Sequence, residues 1–187
     1  NAAIFTFRGA NTLLTQADIE PALFDTDLVY ISTLSGGSAD LLPHLLQQGA
    51  PATRFAVNPG VRQITTRFHT VSQLLPQIGI LAVNRLEAEA FVRQAVAEIA
   101  GSENLTLRRI AAASLKFAYE ADGAPRGDVA RALIGGLIQL GAQTVLLTDG
   151  RHGAYVGSER EVLYCPALEV PVVSSAGSSQ AGLWPCS

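Results

Sequence analysis

Ile80-Leu81-Ala82-Val83-Asn84-Arg85-Leu86-Glu87-Ala88-Glu89 sets the architecture of this chain. Its first four residues are an apolar run that reads as the end of a buried strand. Helical spacing then takes over, with apolar side chains at Leu86, Ala90, Phe91, Val92, Ala95, Val96, Ile99 and Ala100. A strand running straight into a helix is the first half of a βαβ unit. Asn84 stands at the junction, where its side chain can accept a bond from a helix N–H. Glu87 follows at the place of the capping-box acid. On spacing alone a capped helix is the simpler reading. Yet the carboxyl end of a strand is also where open α/β sheets bind ligands. An amide and a carboxylate one turn apart there can hold a metal ion, or water around one, against a phosphate.

Working outward, the same alternation recurs. Asp27–Ser32 and Arg54–Asn58 read as strands before the opening run, and Thr144–Thr148 reads as one after it. Ala2–Phe7 is a further strand, turned by Arg8-Gly9-Ala10-Asn11. Helices are expected from Ile19 to Phe24 behind a Thr15 cap, from Leu41 to Leu46 behind a Ser38 cap, and around Val71–Leu75. Beyond Arg85–Ala100 they are expected at Leu105–Glu120 and at Val129–Leu140 behind an Asp128 cap. Ala154-Tyr155-Val156 and Val162-Leu163-Tyr164 pair as a hairpin. This order implies a single α/β domain over 1–187, with a largely parallel sheet and helices on both faces.

Composition narrows the function classes. With 187 residues, 48% of them apolar and 16% charged, the chain can bury a sizeable core. A net charge of −3 offers no basic stripe, so no nucleic-acid partner is expected. No apolar run approaches membrane-spanning length and no secretory signal opens the chain, so no membrane partner and a cytoplasmic location are expected. Cys165 and Cys186 make no disulfide framework, and His44, His69 and His152 have no second ligand at metal spacing. The chain contains no methionine, which suggests a fragment.

Three strand ends carry polar or glycine-rich residues: Asn58-Pro59-Gly60, Asn84 to Glu87, and Thr148-Asp149-Gly150-Arg151-His152-Gly153. On neighbouring parallel strands they gather at one edge of the sheet. The third loop offers a hydroxyl, glycine-freed N–H groups and a cation, the parts of a polyphosphate cradle. By itself it is equally an ordinary turn into a hairpin. Neither the G-x-x-x-x-G-K-[ST] loop nor the G-x-G-x-x-G fingerprint occurs.

In combination, Arg8-Gly9-Ala10-Asn11, Asn58-Pro59-Gly60, Asn84-x-x-Glu87-Ala88-Glu89 and Thr148-x-Gly150-x-x-Gly153 resemble the ribokinase/phosphofructokinase B (PfkB) family of carbohydrate and nucleoside kinases. The resemblance implies a three-layer ribokinase-like fold with a mostly parallel central sheet, here incomplete. The N-terminal part with the lid and the C-terminal helices would be missing. It implies ATP and Mg²⁺ as cofactors, with Asn84 and Glu87 ordering the metal and its water, and Glu87 as the metal residue. Thr148, Gly150 and Gly153 would contact the nucleotide, and Phe7 and Asn11 the substrate. The implied partner is a small-molecule sugar or nucleoside, and a homodimer is the assembly to be expected if the chain associates.

The family's last motif, roughly Asp-Thr-Thr-Gly-Ala-Gly-Asp-Ala-Phe, aligns with Ser174 to Gly182 and matches only at Gly177 and Ala181. Its glycines form an anion hole at a helix N-terminus and its last Asp is the base. Gln180 stands at the base position, and an amide cannot accept that proton at neutral pH. Read one nucleotide on, codons for Ala181–Trp184 can encode a residue followed by Ala-Phe-Gly, as the motif continues, which fits a shifted frame near Gly177–Gln180; residues omitted between Gly177 and Ser178 would produce a similar mismatch. The expectation is a sugar or nucleoside kinase, inactive as this fragment. The alternative is a non-catalytic ribokinase-like protein for ligand binding or structure.

Overall fold

The computed structural model describes residues 9–101 and 125–168. The expected strand at Ala2–Phe7, the helix at Leu105–Glu120, and Phe7, Gly177 and Gln180 lie outside the described residues. Six strands form one sheet in chain order: β1 (Leu28–Ile31), β2 (Arg54–Val57), β3 (Ile80–Asn84), β4 (Val145–Thr148), β5 (Ala154–Gly157) and β6 (Val162–Cys165). β1 to β4 pair in parallel, and β5 and β6 return antiparallel as the expected hairpin.

The helices are α1 (Leu42–Leu46), α2 (Val61–Thr66), α3 (Phe68–Leu74), α4 (Arg85–Gly101) and α5 (Arg126–Gln139). α4 lies between α2 and α5 and contacts both. Alternation along each strand decides what they cover. Val57, Leu81, Val83, Val145 and Leu147 are almost fully buried and face this layer. Phe91, Ile64, Leu133 and Leu137 meet them from the helices. On the opposite face Ile80, Ala82 and Leu146 are half-buried, while Tyr30, Val156 and Leu163 are exposed.

Several boundaries differ from expectation for local reasons. Residues 16–24 form two 3₁₀ turns, Gln16–Asp18 and Pro21–Phe24, because Pro21 lacks the N–H that would continue a helix. Thr15 still anchors the first turn, its N–H donating to the Asp18 carboxylate at 2.8 Å. Ser38 is not a cap. It sits buried inside a 3₁₀ turn, Gly36–Leu41, and its hydroxyl donates to the Leu14 carbonyl at 3.2 Å. The helix expected around Val71–Leu75 is α3, and a further helix, α2, precedes it directly after Pro59-Gly60. α5 starts at Arg126 behind Pro125, leaving Asp128 in its first turn.

Candidate active site

Parallel pairing brings the polar strand ends together. β2, β3 and β4 are consecutive neighbours, and Asn84 is the register partner of Thr148. All three motifs therefore begin at one carboxyl edge of the sheet.

At that edge Asn84 and Glu87 bond reciprocally. The Glu87 N–H donates to Asn84 Oδ1 at 2.9 Å, and the Asn84 N–H donates to Glu87 Oε2 at 2.9 Å. Two N–H groups that α4 would otherwise leave orphaned are thereby satisfied. The cap does not exhaust the pair. Glu87 Oε1 and Asn84 Nδ2 have no partner among the described residues, and both side chains are part-exposed.

Asn58 extends the arrangement. Its Nδ2 donates to the Ala82 carbonyl at 2.7 Å and lies 3.3 Å from Glu87 Oε2. The Thr33 hydroxyl donates to Asn58 Oδ1 at 3.0 Å, and Asn11 Nδ2 donates to the Thr33 carbonyl at 3.2 Å. Asn11, Thr33, Asn58, Glu87 and Asn84 thus form one hydrogen-bonded row across the ends of β1 to β3. Burial first, and then the charge of Glu87, raise the pKa of the Tyr30 phenol on β1. Sequence reading marked Asn58 only as part of a polar turn and missed Thr33, because their partners lie 25 and 29 residues away.

The Thr148–Gly153 loop is a tight 3₁₀ turn, Gly150–His152. The Asp149 N–H donates to the Gly153 carbonyl at 2.9 Å, and the His152 N–H donates to the Asp149 carbonyl at 3.0 Å. Gly150 and Gly153 have φ of 55° and 93°, a region that favours glycine. At Gly153 a Cβ would run into the Cys165 carbonyl. Arg85 turns toward the loop while bonding Glu89 at 2.8 Å. The Glu89 bond is the largest influence on its guanidinium; burial opposes it, and the charges of Asp149 and Glu89 add to it, so its pKa lies above the ordinary value.

Among the described residues no group of three or more His, Cys, Asp or Glu side chains could hold a metal by itself. Magnesium does not require one, since it commonly binds through one or two carboxylates plus water and substrate phosphates. Glu87 with its open Oε1 fits that role. No described helix is long and apolar enough to cross a membrane.

The geometry agrees with what comparison with known proteins finds. No curated protein matches the chain. Among solved structures, a protein assigned as ribokinase II from E. coli, in complex with ATP and Mg²⁺, is 17% identical, with 97% of this chain and 52% of that one covered, at a TM-score of 0.60. Ribokinase from Thermotoga maritima is 15% identical, with 94% and 48% covered, at a TM-score of 0.57. Adenosine kinase from Trypanosoma brucei brucei is 14% identical, with 92% and 49% covered, at a TM-score of 0.57. The chain spans about half the length of these structures, and at such identities the likeness is one of fold, α/β and ribokinase-like. The sequence pattern of the pfkB family carbohydrate kinases matches residues 1–178, nearly the whole chain, and the chain therefore belongs to that family.

Proposed function

We propose that this chain derives from an ATP- and Mg²⁺-dependent kinase that phosphorylates a hydroxyl of a sugar or nucleoside in the cytoplasm. The observation that carries this reading is the register Asn84↔Thr148, which sets the Asn84–Glu87 pair beside the Thr148 loop in a member of the family. Glu87 would hold the metal through Oε1, alone or through water, while Oε2 stays committed to the cap and to Asn58. Asn84 would present Nδ2 to the same water or phosphate. Thr148, Gly150 and Gly153 would receive the nucleotide, and Asn11, fixed to Thr33, would lie toward the acceptor. When bound, the metal neutralises charge on the transferring phosphoryl group, and the protein's share is positioning.

Gln180 favours a second reading, of a chain that binds without transfer. An amide at the base position leaves the acceptor hydroxyl proton with nowhere to go. Isothermal titration with Mg-ATP, followed by a coupled assay over a panel of sugars and nucleosides, tests both. Saturable Mg-ATP binding with no turnover is the expected result. Glu87→Gln keeps an oxygen for the Asn84 N–H and should lose the magnesium dependence of binding. Absence of nucleotide binding by the folded chain overturns the kinase reading, and turnover overturns the role given to Gln180.

A further inference from the structure

Three segments far apart in sequence meet on one carboxylate at the edge of the sheet. Asp149, its side chain only 9% exposed, lies 3.3 Å from Arg126 Nη1 and 3.6 Å from Arg85 Nη1. Arg85 opens α4 directly after Asn84, Arg126 opens α5, and Asp149 follows Thr148. The main chain of Asp149 also closes the loop, through Gly153 and His152. Arg85 is braced from behind by Glu89. The described ion pairs joining this loop to the two helices all run through Asp149.

We propose that Asp149 is a positioning residue, its carboxylate clasped between Arg85 and Arg126 so that the Thr148–Gly153 loop stays in register with the Asn84–Glu87 cap. This deepens the nucleotide reading above and rests on it for the identity of the ligand. Beyond Thr148 the β3–β4 ladder ends, so no further strand pairing ties the loop to α4. Arg85 and Arg126 keep 27% and 55% of their side chains exposed, so loss of the Asp149 carboxylate strands no fully buried charge and costs little global stability. Placement is another matter, because an ångström of misalignment at a phosphoryl-transfer site is felt strongly. The clasp therefore affects local order and nucleotide affinity far more than unfolding.

Hydrogen exchange over residues 149–155, with Mg-ATP titration of the same proteins, tests the proposal. Asp149→Ala should speed exchange of the loop amides about tenfold, by local opening. Its melting temperature should move by no more than about 4 °C, a shift near 1 kcal/mol for a chain this long. Arg126→Ala should do the same to the loop, and the double variant should exchange no faster than Asp149→Ala, as expected for coupled residues. Mg-ATP affinity should fall about tenfold in Asp149→Ala and in Asp149→Asn, about 1.4 kcal/mol. Should Asp149→Ala not fold, Asp149→Asn, of equal size, decides alone. Unchanged exchange, additive effects, or faster exchange with unaltered affinity would each overturn the clasp. A wild-type chain that binds no nucleotide overturns the kinase reading instead, and the exchange arms still decide whether Asp149 orders the loop.

Discussion

At Asn84 the observed cap and the proposed ligand role can be separated, because each uses a different atom. Oδ1 caps the helix, whereas Nδ2 is the group left for a ligand. Serine caps about as well as asparagine but offers no amide. Asn84→Ser should therefore keep its urea-unfolding free energy within about 0.5 kcal/mol and lose measurable Mg-ATP affinity by calorimetry. An equal loss of both would reduce Asn84 to a cap. The loop glycines make a second contrast. Both adopt positive φ, but a Cβ on Gly150 meets open space and one on Gly153 meets the backbone of Cys165 and Pro166. Gly150→Ala should cost about 1–2 kcal/mol for the left-handed conformation alone. Gly153→Ala should exceed it by at least about 1 kcal/mol, since backbone must move, as parallel denaturation curves would show. Asn84, Glu87 and Thr148 were legible in the sequence because their patterns are local. Thr33 and Asp149 were not, because their partners are supplied by folding.

The strands were legible, as were α1 and α3 near their expected places, whereas α2 and the 3₁₀ turns were not. β1 to β4 fall where apolar β-branched runs end in polar residues, since a strand buried on one face must present such runs. Residues 16–24 and 36–41 turn in 3₁₀ geometry instead, set by Pro21 and by packing around Ser38, and neither leaves a helical period to read. Where α4 crosses the loop-rich half, Phe91 meets Phe68 edge-on at 5.1 Å with no exposed surface. Phe91→Ala should cost about 3–5 kcal/mol in a denaturant titration; a cost below 2 would mean that α3 collapses into the space. The junction of α2 and α3 is held differently. Arg67 grips Asp40 through both carboxylate oxygens, at 2.6 and 2.9 Å, and these bonds hold the Asp40 pKa below the ordinary carboxylate value. A depressed native pKa adds stability that is complete above the unfolded value, about 4, and is lost as pH falls through the lowered native one. Because the pair is exposed, Asp40→Asn should cost only about 0.5 kcal/mol at neutral pH. That difference should vanish in unfolding curves taken well below pH 4.

For the whole molecule, strand order matters more than any one contact. Had β3 and β4 been separated in the sheet, Asn84 and Thr148 would be a strand's width or more apart, and no single phosphate chain could engage both at close range. Their adjacency, together with the hydrogen-bonded row reaching back to Asn11, makes the carboxyl edge one surface contributed by β1 to β4. A ligand spanning that surface binds the folded chain and not the unfolded one, so its binding should register in global unfolding. A ligand held at 100 times its dissociation constant adds about 2.7 kcal/mol. For a chain of this length that corresponds to a rise of about 5–10 °C in melting temperature. Mg-ATP should produce such a rise, and ATP with excess EDTA should produce much less, because in the proposed site Glu87 would reach the nucleotide only through the metal. Glu87→Gln should abolish the difference between the two conditions. Equal shifts with and without magnesium would place the nucleotide on the Thr148 loop alone and leave the Asn84–Glu87 pair as a helix cap. The pairing of β3 with β4 would then be an architectural feature of the family fold, with no metal-assisted site built upon it.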